Sequence, residues 1–260
     1  MIVQDFSSVL EEMAPLAYQA DYDNAGLLVG SPYSQVNKVL ITLDVTPEVV
    51  QEAIDCYANL IIAHHPFIFH PLKKFNNDGD TEKCLSMAIK HDISIYASHT
   101  NMDSVMNGVN GKICSKIRLQ NCKFLVPQNQ EQPYGDGMIG ELPQAENTEK
   151  FLERIKNTFH CGTIRHTNLC KKDIQKVAVC GGAGSFLIHD AIAAGADIFI
   201  SADIKYHDFF LAENKIIIAD IGHYESEQFT KELFYELLIK KFYNFAIQIS
   251  KVNTNPINYL

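Results

Sequence analysis

The sequence predicts an α/β protein of two similar lobes, each built on a β-α-β-α-β unit with mostly parallel strands. Three observations lead there. Short apolar, β-branched segments (KVLITLD, NLIIA and ISIYAS, then KVAVC, DIFIS and KIIIAD) alternate with helix-length stretches, the pattern of parallel strands covered by helices. The rhythm occurs twice, first from Lys38 to about His99 and again after residue 175. In each half the second and third strands hand over directly to polar clusters, HHP and HTNMD in the first, DIKYHD and GHYESE in the second. The repeat is one of pattern, since residue identity between the halves is low.

Each element has a local reason. A helix over Val3–Met13 ends near Pro15, and the turn-rich DYDNAGLLVG leads to the strand Lys38–Asp44. Thr46 can cap a helix from Pro47 to about Tyr57, with proline at its first position. The strand NLIIA ends in His64 and His65, a helix follows near Thr81–His91, and ISIYAS ends at His99. From Cys122 a Gln/Asn/Pro/Gly-rich linker opens, followed by a strand at MIGEL, a helix from about Thr148 to Phe159 and a strand at GTIRH. In the second repeat, CGGAGS reads as a glycine turn before a helix, and a short helix runs to about Asn214. The tail, Glu225 to about Phe245, reads as one long amphipathic helix before the polar NTNPINYL. The expected division is an N-terminal lobe over 1–120, a connecting part of the second lobe over 121–175, and a C-terminal lobe over 176–260.

Composition limits the function. A chain of 260 residues that is 47% hydrophobic and 20% charged, with no long apolar run, reads as a globular protein with a sizeable core and no membrane span. Acids at Asp5, Glu11 and Glu12 stand where a signal peptide would want basic residues. The 7 cysteines are scattered, with no C-x-x-C, which suits reduced thiols in a cytoplasm. A net charge of -9 argues against nucleic-acid backbone and anionic-membrane binding, which need a basic stripe.

The polar clusters lie where open α/β sheets place their sites, beyond the carboxyl ends of the strands. Successive strand side chains face opposite ways, so His64 and His65 can act together only if the chain leaves the strand, and Pro66 favours that exit. His223 and Glu227, four residues apart, share one face of a helix. Each feature has an ordinary reading: adjacent loop histidines can be merely solvated, Glu227 can complement a helix dipole, and Asp103 can cap a turn. Their convergence on one kind of sheet edge favours metal. Five such donors without thiolate are too many for a structural zinc and suit two divalent ions. With Glu227 as bridge, His65 and Asp103 complete one set, and His64 and His223 the other. Zn, Fe, Mn or Ni fit these donors better than Ca. A metal pair can activate water and clamp a developing anion, so hydrolysis is the natural reaction class.

His99, Lys205 and His207 are the candidates for proton transfer or substrate contact. The other histidines read as ordinary surface or core residues. DYDNAG is not a calcium loop, because Ala25 occupies a ligand position and Pro32 replaces the closing Glu. CGGAGS lacks the lysine of a P-loop, and Leu187 stands at the third glycine of a dinucleotide motif. Its amides could still hold an anion, although a structural turn is the plainer reading.

The motifs DYDNAGLLVG, LDVTPEVVQEAI, AHHPFIFHPLKKF, SHTNMDSVMNGVNG, VAVCGGAGSFLIHDAIAAGADIFISADIKYHD and DIGHYESE, in that order, resemble the GTP cyclohydrolase I type 2-like family, also called Nif-three-like or YbgI-type. The resemblance spans nearly the whole chain. It implies two α/β lobes with a dinuclear metal site between them at the strand ends, assembled as a ring-like homohexamer. Carried over by position, the family's ligands fall on His64, His65, Asp103, His223 and Glu227, with Glu227 bridging. The chain departs from the family pattern at Tyr22, Gly111 and Ala202, none of them a ligand, and lacks the domain some relatives insert between the halves. Two functions follow as expectations: a metal-dependent hydrolase of a small, nucleotide-like substrate, or a non-catalytic metal- or partner-binding regulator.

Overall fold

The computed structural model describes residues 1–128 and 134–260, so the Gln-rich 129–133 of the expected linker lies outside the described residues. Strands β1 (Gly26–Val29), β2 (Val39–Thr42), β3 (Leu60–Ala63) and β4 (Ser94–Ala97) come first. β5 (Gln120–Pro127), β6 (Gly135–Asn147), β7 (Arg165–His166), β8 (Asp173–Ala183), β9 (Ile198–Ala202) and β10 (Ile217–Asp220) follow, and β11 (Ile247–Ile249) comes near the end. The chain forms two compact units, Met1–Met102 with Thr230–Thr254, and Asp103–Phe229 with Asn255–Leu260. The architecture is mixed α/β, as the sequence predicts, with parallel β-α-β cores in both sheets.

In the first unit the sheet order is β1-β4-β3-β2-β11. β2, β3 and β4 are buried along their whole length, which is why their sequences are apolar rather than alternating. One face packs Leu40, Ile61 and Ile95 against Val49, Val50 and Ala53 of helix Pro47–Asp55 and Cys84 and Ala88 of helix Asp80–Lys90. The Thr46 hydroxyl accepts from the Val49 amide at 3.4 Å, the expected cap. Helix Val3–Met13 buries Val3, Phe6 and Leu10, and the Phe6 ring lies 4.7 Å from that of Phe242 and 5.0 Å from that of Phe245. β1 alone runs antiparallel, against β4.

The second unit has the sheet order β5-β6-β8-β9-β10-β7, with β8, β9 and β10 parallel and the remaining pairings antiparallel. The segment read as the start of a linker is the edge strand β5; as an edge it stays partly exposed and lacks the apolar run of a central strand. GTIRH shrinks to the two-residue β7. Helix Thr148–Thr158 is capped by Asn147, whose side chain accepts from the Lys150 amide at 3.3 Å.

The long tail helix is instead two helices, His223–Glu227 and Thr230–Lys241. The first belongs to the second unit, where Ser226 Oγ accepts from the Gly182 amide at 2.9 Å and Gln228 donates to the Phe159 carbonyl at 2.7 Å. The second buries Leu233, Phe234 and Leu238 in the first unit. The helix is interrupted by a turn at Gln228 and Phe229, where the chain passes from one unit to the other. The residues after it add β11, parallel to β2, which the polar tail did not signal.

Asp197, at the start of β9, accepts from Lys171 and from the Gln175 and Lys176 amides, the latter two at 2.8 Å. Against the cost of burial, these bonds hold its carboxyl below the usual range. A lowered native pKa means stability present above the unfolded value of about 3.9 and lost as pH falls below it. Asp197→Asn is therefore expected to be less stable than the parent near neutral pH, with the gap closing under acid. A gap in urea midpoint that persists unchanged to pH 2 would refute this role.

Candidate functional site

Strand register explains why the expected residues meet within each unit. β3 and β4 are parallel neighbours with Ala63 opposite Ala97, so His64 and His65 leave the sheet beside Ser98 and His99. β2 pairs with β3 with Thr42 opposite Ala63, which sets Asp44 next to His65. Because β1 is antiparallel to β4, with Gly26 opposite Ala97, residues just before β1 reach those just after β4, and Asp23 meets His99 and Thr100.

The result is three imidazoles with the same kind of anchor. His64 Nδ1 bonds the Ser98 carbonyl at 2.9 Å, His65 Nδ1 bonds Asp44 Oδ1 at 2.7 Å, and His99 Nδ1 bonds Asp23 Oδ1 at 2.8 Å. A carbonyl or carboxylate oxygen only accepts, so each Nδ1 carries a hydrogen, and in the neutral ring the lone pair is on Nε2. This is how ligating histidines are held in metalloproteins. One ring nitrogen of each of His64, His65 and His99 lies within 4.8 Å of the others. Although burial opposes its charge, hydrogen bonds from His99 and Thr100 hold the Asp23 carboxyl down to about 2. Against the same cost, His65 and Thr254 keep Asp44 below the usual carboxylate range.

The second unit repeats the device. β9 and β10 are parallel with Ser201 opposite Asp220, so the residues after them emerge together, and His223 Nδ1 bonds Asp203 Oδ2 at 2.7 Å. His223 Nε2 faces Glu227 Oε2 at 3.0 Å, the i to i+4 pairing that the sequence predicts. Burial works against its positive charge, yet Asp203 and Glu227 push His223 up to about 11. A proton shared by Nε2 and Oε2, or a divalent cation bound to both, can hold that pair together. Asp103 ends the short helix Thr100–Asp103, and its carbonyl accepts from Asn110 Nδ2 at 3.0 Å. Burial pushes the Cys180 thiol far above its ordinary range, and the charges of Asp103 and Glu227 add to it, so both carboxylates act on one buried point.

The glycine segment has a different role from an anion cradle. Two of its amides are committed internally, Gly181 to Asn110 Oδ1 and Gly182 to Ser226 Oγ, each at 2.9 Å. β8 continues to Ala183, and the helix that follows, Ile188–Ala193, begins only after a 3-10 turn. What the glycine provides is room: a Cβ on Gly182 would stand 2.3 Å from Glu227 Oε1. Lys205 and His207 are exposed, and the His207 ring stacks 6.4 Å from that of Phe210.

Asp23, Asp44 and Asp203 were absent from the candidates. Asp44 stands two residues and Asp203 one residue beyond a strand, positions that could have flagged them, whereas Asp23 precedes one and needed the pairing. The donors present, imidazole nitrogens and carboxylate oxygens without thiolate, fit a divalent metal of borderline softness.

The fold and the site define an α/β protein whose clamped His and carboxylate groups, at the ends of its strands, could hold a metal ion. The chain belongs to the Duf34/NIF3 (NGG1p interacting factor 3) family, whose model matches residues 1–256. A Streptococcus pneumoniae protein named "GTP cyclohydrolase 1 type 2 homolog" is 30% identical over 268 residues, covering 100% of both chains. One of the same name from Clostridium acetobutylicum is 31% identical over 229 residues, 86% of this chain and 85% of that one. Among solved structures, Staphylococcus aureus protein SA1388 superposes with a TM-score of 0.90 at 28% identity over 100% of this chain and 99% of that one. The Bacillus cereus protein related to NIF3 gives 0.88 at 27% identity with the same coverage.

Gly182 has φ +61 as well as the close approach to Glu227. Gly182→Ala is expected to lower stability by about 2 kcal/mol, combining left-handed strain with displacement of the carboxylate. Denaturant unfolding of metal-free protein measures it, and a change under about 0.5 kcal/mol would show that the site tolerates the methyl.

Proposed function

We propose that this protein binds two divalent metal ions per chain through His64, His65, Asp103, His223 and Glu227, with Glu227 bridging, and is a metal-dependent hydrolase of a small nucleotide-like molecule. The observation that carries the reading is the fixed Nδ1 of His64, His65 and His223, which orients each ring so that its Nε2 can bind a cation, in His223 in place of the proton it shares with Glu227. The printed name shared by the relatives suggests the nucleotide class. Bound divalent ions would supply Lewis acidity and lower the pKa of water. The chain's own contributions are positional. Asp44 and Asp203 hold His65 and His223 in one tautomer and orientation, and Gly182 leaves Glu227 its space. The same reading takes the protein to be a cytoplasmic homohexamer, which sedimentation of the purified chain tests.

Elemental analysis after gentle purification is expected to find about two divalent ions per chain. Hydrolysis of a member of a nucleotide panel should stop on chelation and return with metal. Metal binding without any turnover would instead favour a non-catalytic binding protein, and a folded chain that takes up no divalent ion would refute the site.

The ligands should also separate by role. Glu227→Ala removes donors to both ions together with the shared negative charge between them, so both should weaken. Asp103→Ala removes one carboxylate, so the loss should concentrate in one ion. Metal titration with circular dichroism as folding control decides this, and a Glu227→Ala protein still holding two tight ions would disprove the bridge.

A further inference from the structure

Cys114 and Cys122 lie in the second unit, outside the site described above, and their thiols share a hydrogen bond. Cys114 is buried in helix Val109–Ile117, and Cys122 is half-buried in the edge strand β5. The chain between them closes tightly: Arg118 takes the left-handed conformation at φ +63, and the Leu119 amide donates to the Cys114 carbonyl at 2.9 Å. That turn brings the start of β5 back beside the helix it has just left.

β5 then departs from regular pairing at the cysteine. Gln120 is opposite Glu141 and Lys123 opposite Ile139, three steps on β5 against two on β6, so β5 carries one extra residue, and Asn121 has φ +53. A bulge of this kind re-aims a side chain that regular alternation would send elsewhere. Left-handed backbone at a residue other than glycine carries a cost that its surroundings must offset. Gly140 faces the bulge from β6, and a Cβ there would stand 2.8 Å from Cys122 Sγ. A bulge, a bare backbone position and a second thiol are thus arranged about one sulfur.

The two thiols are unequal. The shared hydrogen bond pushes Cys114 up, with burial adding to it, and pulls Cys122 down against the cost of burial. The buried thiol is therefore the donor, and the half-exposed sulfur is the anion it stabilises. Elsewhere in the chain burial pushes Cys84 and Cys161 up to about 12. The Gln120 carbonyl lies 3.9 Å from Cys122 Sγ, a long contact even for sulfur. An accessible thiolate with a second thiol at hand is the arrangement in which oxidation ends reversibly, at a disulfide.

We propose that Cys122 is an oxidation site for hydroperoxides, with Cys114 as the thiol that resolves it into a reversible Cys114–Cys122 disulfide. The Cys122 thiolate attacks one oxygen of the peroxide: an S–O bond forms, the O–O bond breaks, and the other oxygen leaves as hydroxide or alkoxide and takes up a proton. Cys122 is then a sulfenic acid. Cys114 attacks its sulfur, the S–S bond forms, and the S–O bond breaks with release of water, which carries away the Cys114 proton. Two thiols have been oxidised and one peroxide reduced, and a dithiol reductant reverses the change by exchange. The step uses no metal and stands apart from the metal-binding reading.

The full-length chain, reduced and freed of reductant, is treated with a small excess of hydrogen peroxide in metal-free buffer and mapped by peptide mass spectrometry. Cys114→Ala, Cys122→Ser and Cys170→Ser are compared with it, and circular dichroism confirms the fold. Tryptic cleavage at Lys116 and Arg118 separates the two cysteines, so wild type and Cys170→Ser are expected to yield them as one cross-linked peptide pair that dithiothreitol restores to thiols. Cys114→Ala should stop at a Cys122 sulfenic acid, trapped by dimedone, and Cys122→Ser should leave Cys114 unoxidised. Iodoacetamide at neutral pH should alkylate Cys122 about tenfold faster than the exposed Cys170, an advantage that Cys114→Ala removes. Cross-links between other cysteines, or oxidation of Cys170 while Cys114 and Cys122 stay reduced, overturn the inference on the wild-type chain alone. Cys122 carried to sulfinic acid in wild type without a cross-link overturns it as well, since Cys114 then resolves nothing. A Cys122 that alkylates no faster than Cys170 removes it as the attacking thiol.

Discussion

A parallel sheet covered by helices on both faces has only its strand ends left for polar chemistry, and the rest of this structure follows from that constraint. β2, β3 and β4 are buried from end to end, as are β9 and β10. The one carboxylate inside them, Asp220 at the last position of β10, is paired with Arg165 and accepts from the Ile204 amide at 3.0 Å, because an unpaired buried polar group would be costly. The residues of the polar clusters begin one to three positions past each strand, at Asp44, His64, Ser98, Asp203 and His223. Parallel pairing then does the assembly, because neighbouring strands that end level deliver their following residues side by side.

The second requirement is that each donor arrive with its proton on the correct nitrogen. A histidine in solution exchanges tautomers freely and turns about its side chain. Here a backbone carbonyl serves His64, and Asp44, Asp23 and Asp203 serve His65, His99 and His223. The carboxylates are held ionised by the very bonds they accept, so ligand orientation and carboxylate charge reinforce one another. Glu227 pairs with His223 Nε2 at 3.0 Å and also needs space: backbone with no Cβ passes beside its carboxylate at Gly182. The glycines of β8 are thus explained by what they leave room for, and their amides are occupied elsewhere.

The donor chemistry suits a divalent metal, and the reaction is a matter for experiment. A fold with its site on strand ends can change substrate by altering the loops that surround the site while its core stays fixed. In this chain the exposed Lys205, Tyr206 and His207 lie in a loop that begins at Asp203.

The sequence by itself determined the strands, the helices between them and the donor residues, because burial on both faces forces continuous β-branched runs and proline and threonine mark the helix starts. It also made His64, His65, Asp103, His223 and Glu227 legible as candidates, since adjacency and i to i+4 spacing are local properties. The edges were less legible. β5 is half exposed, β7 and β11 are two to three residues long, and the tail helix splits because its two parts are anchored in different units, a fact no local period contains. Only the tertiary structure decided which oxygen holds which ring. Asp23 reaches His99 across 76 residues, Asp44 reaches His65 across 21, and Asp203 reaches His223 across 20. Those pairings are set by strand order and register, which depend on how the whole sheet packs and not on any stretch of sequence short enough to read alone.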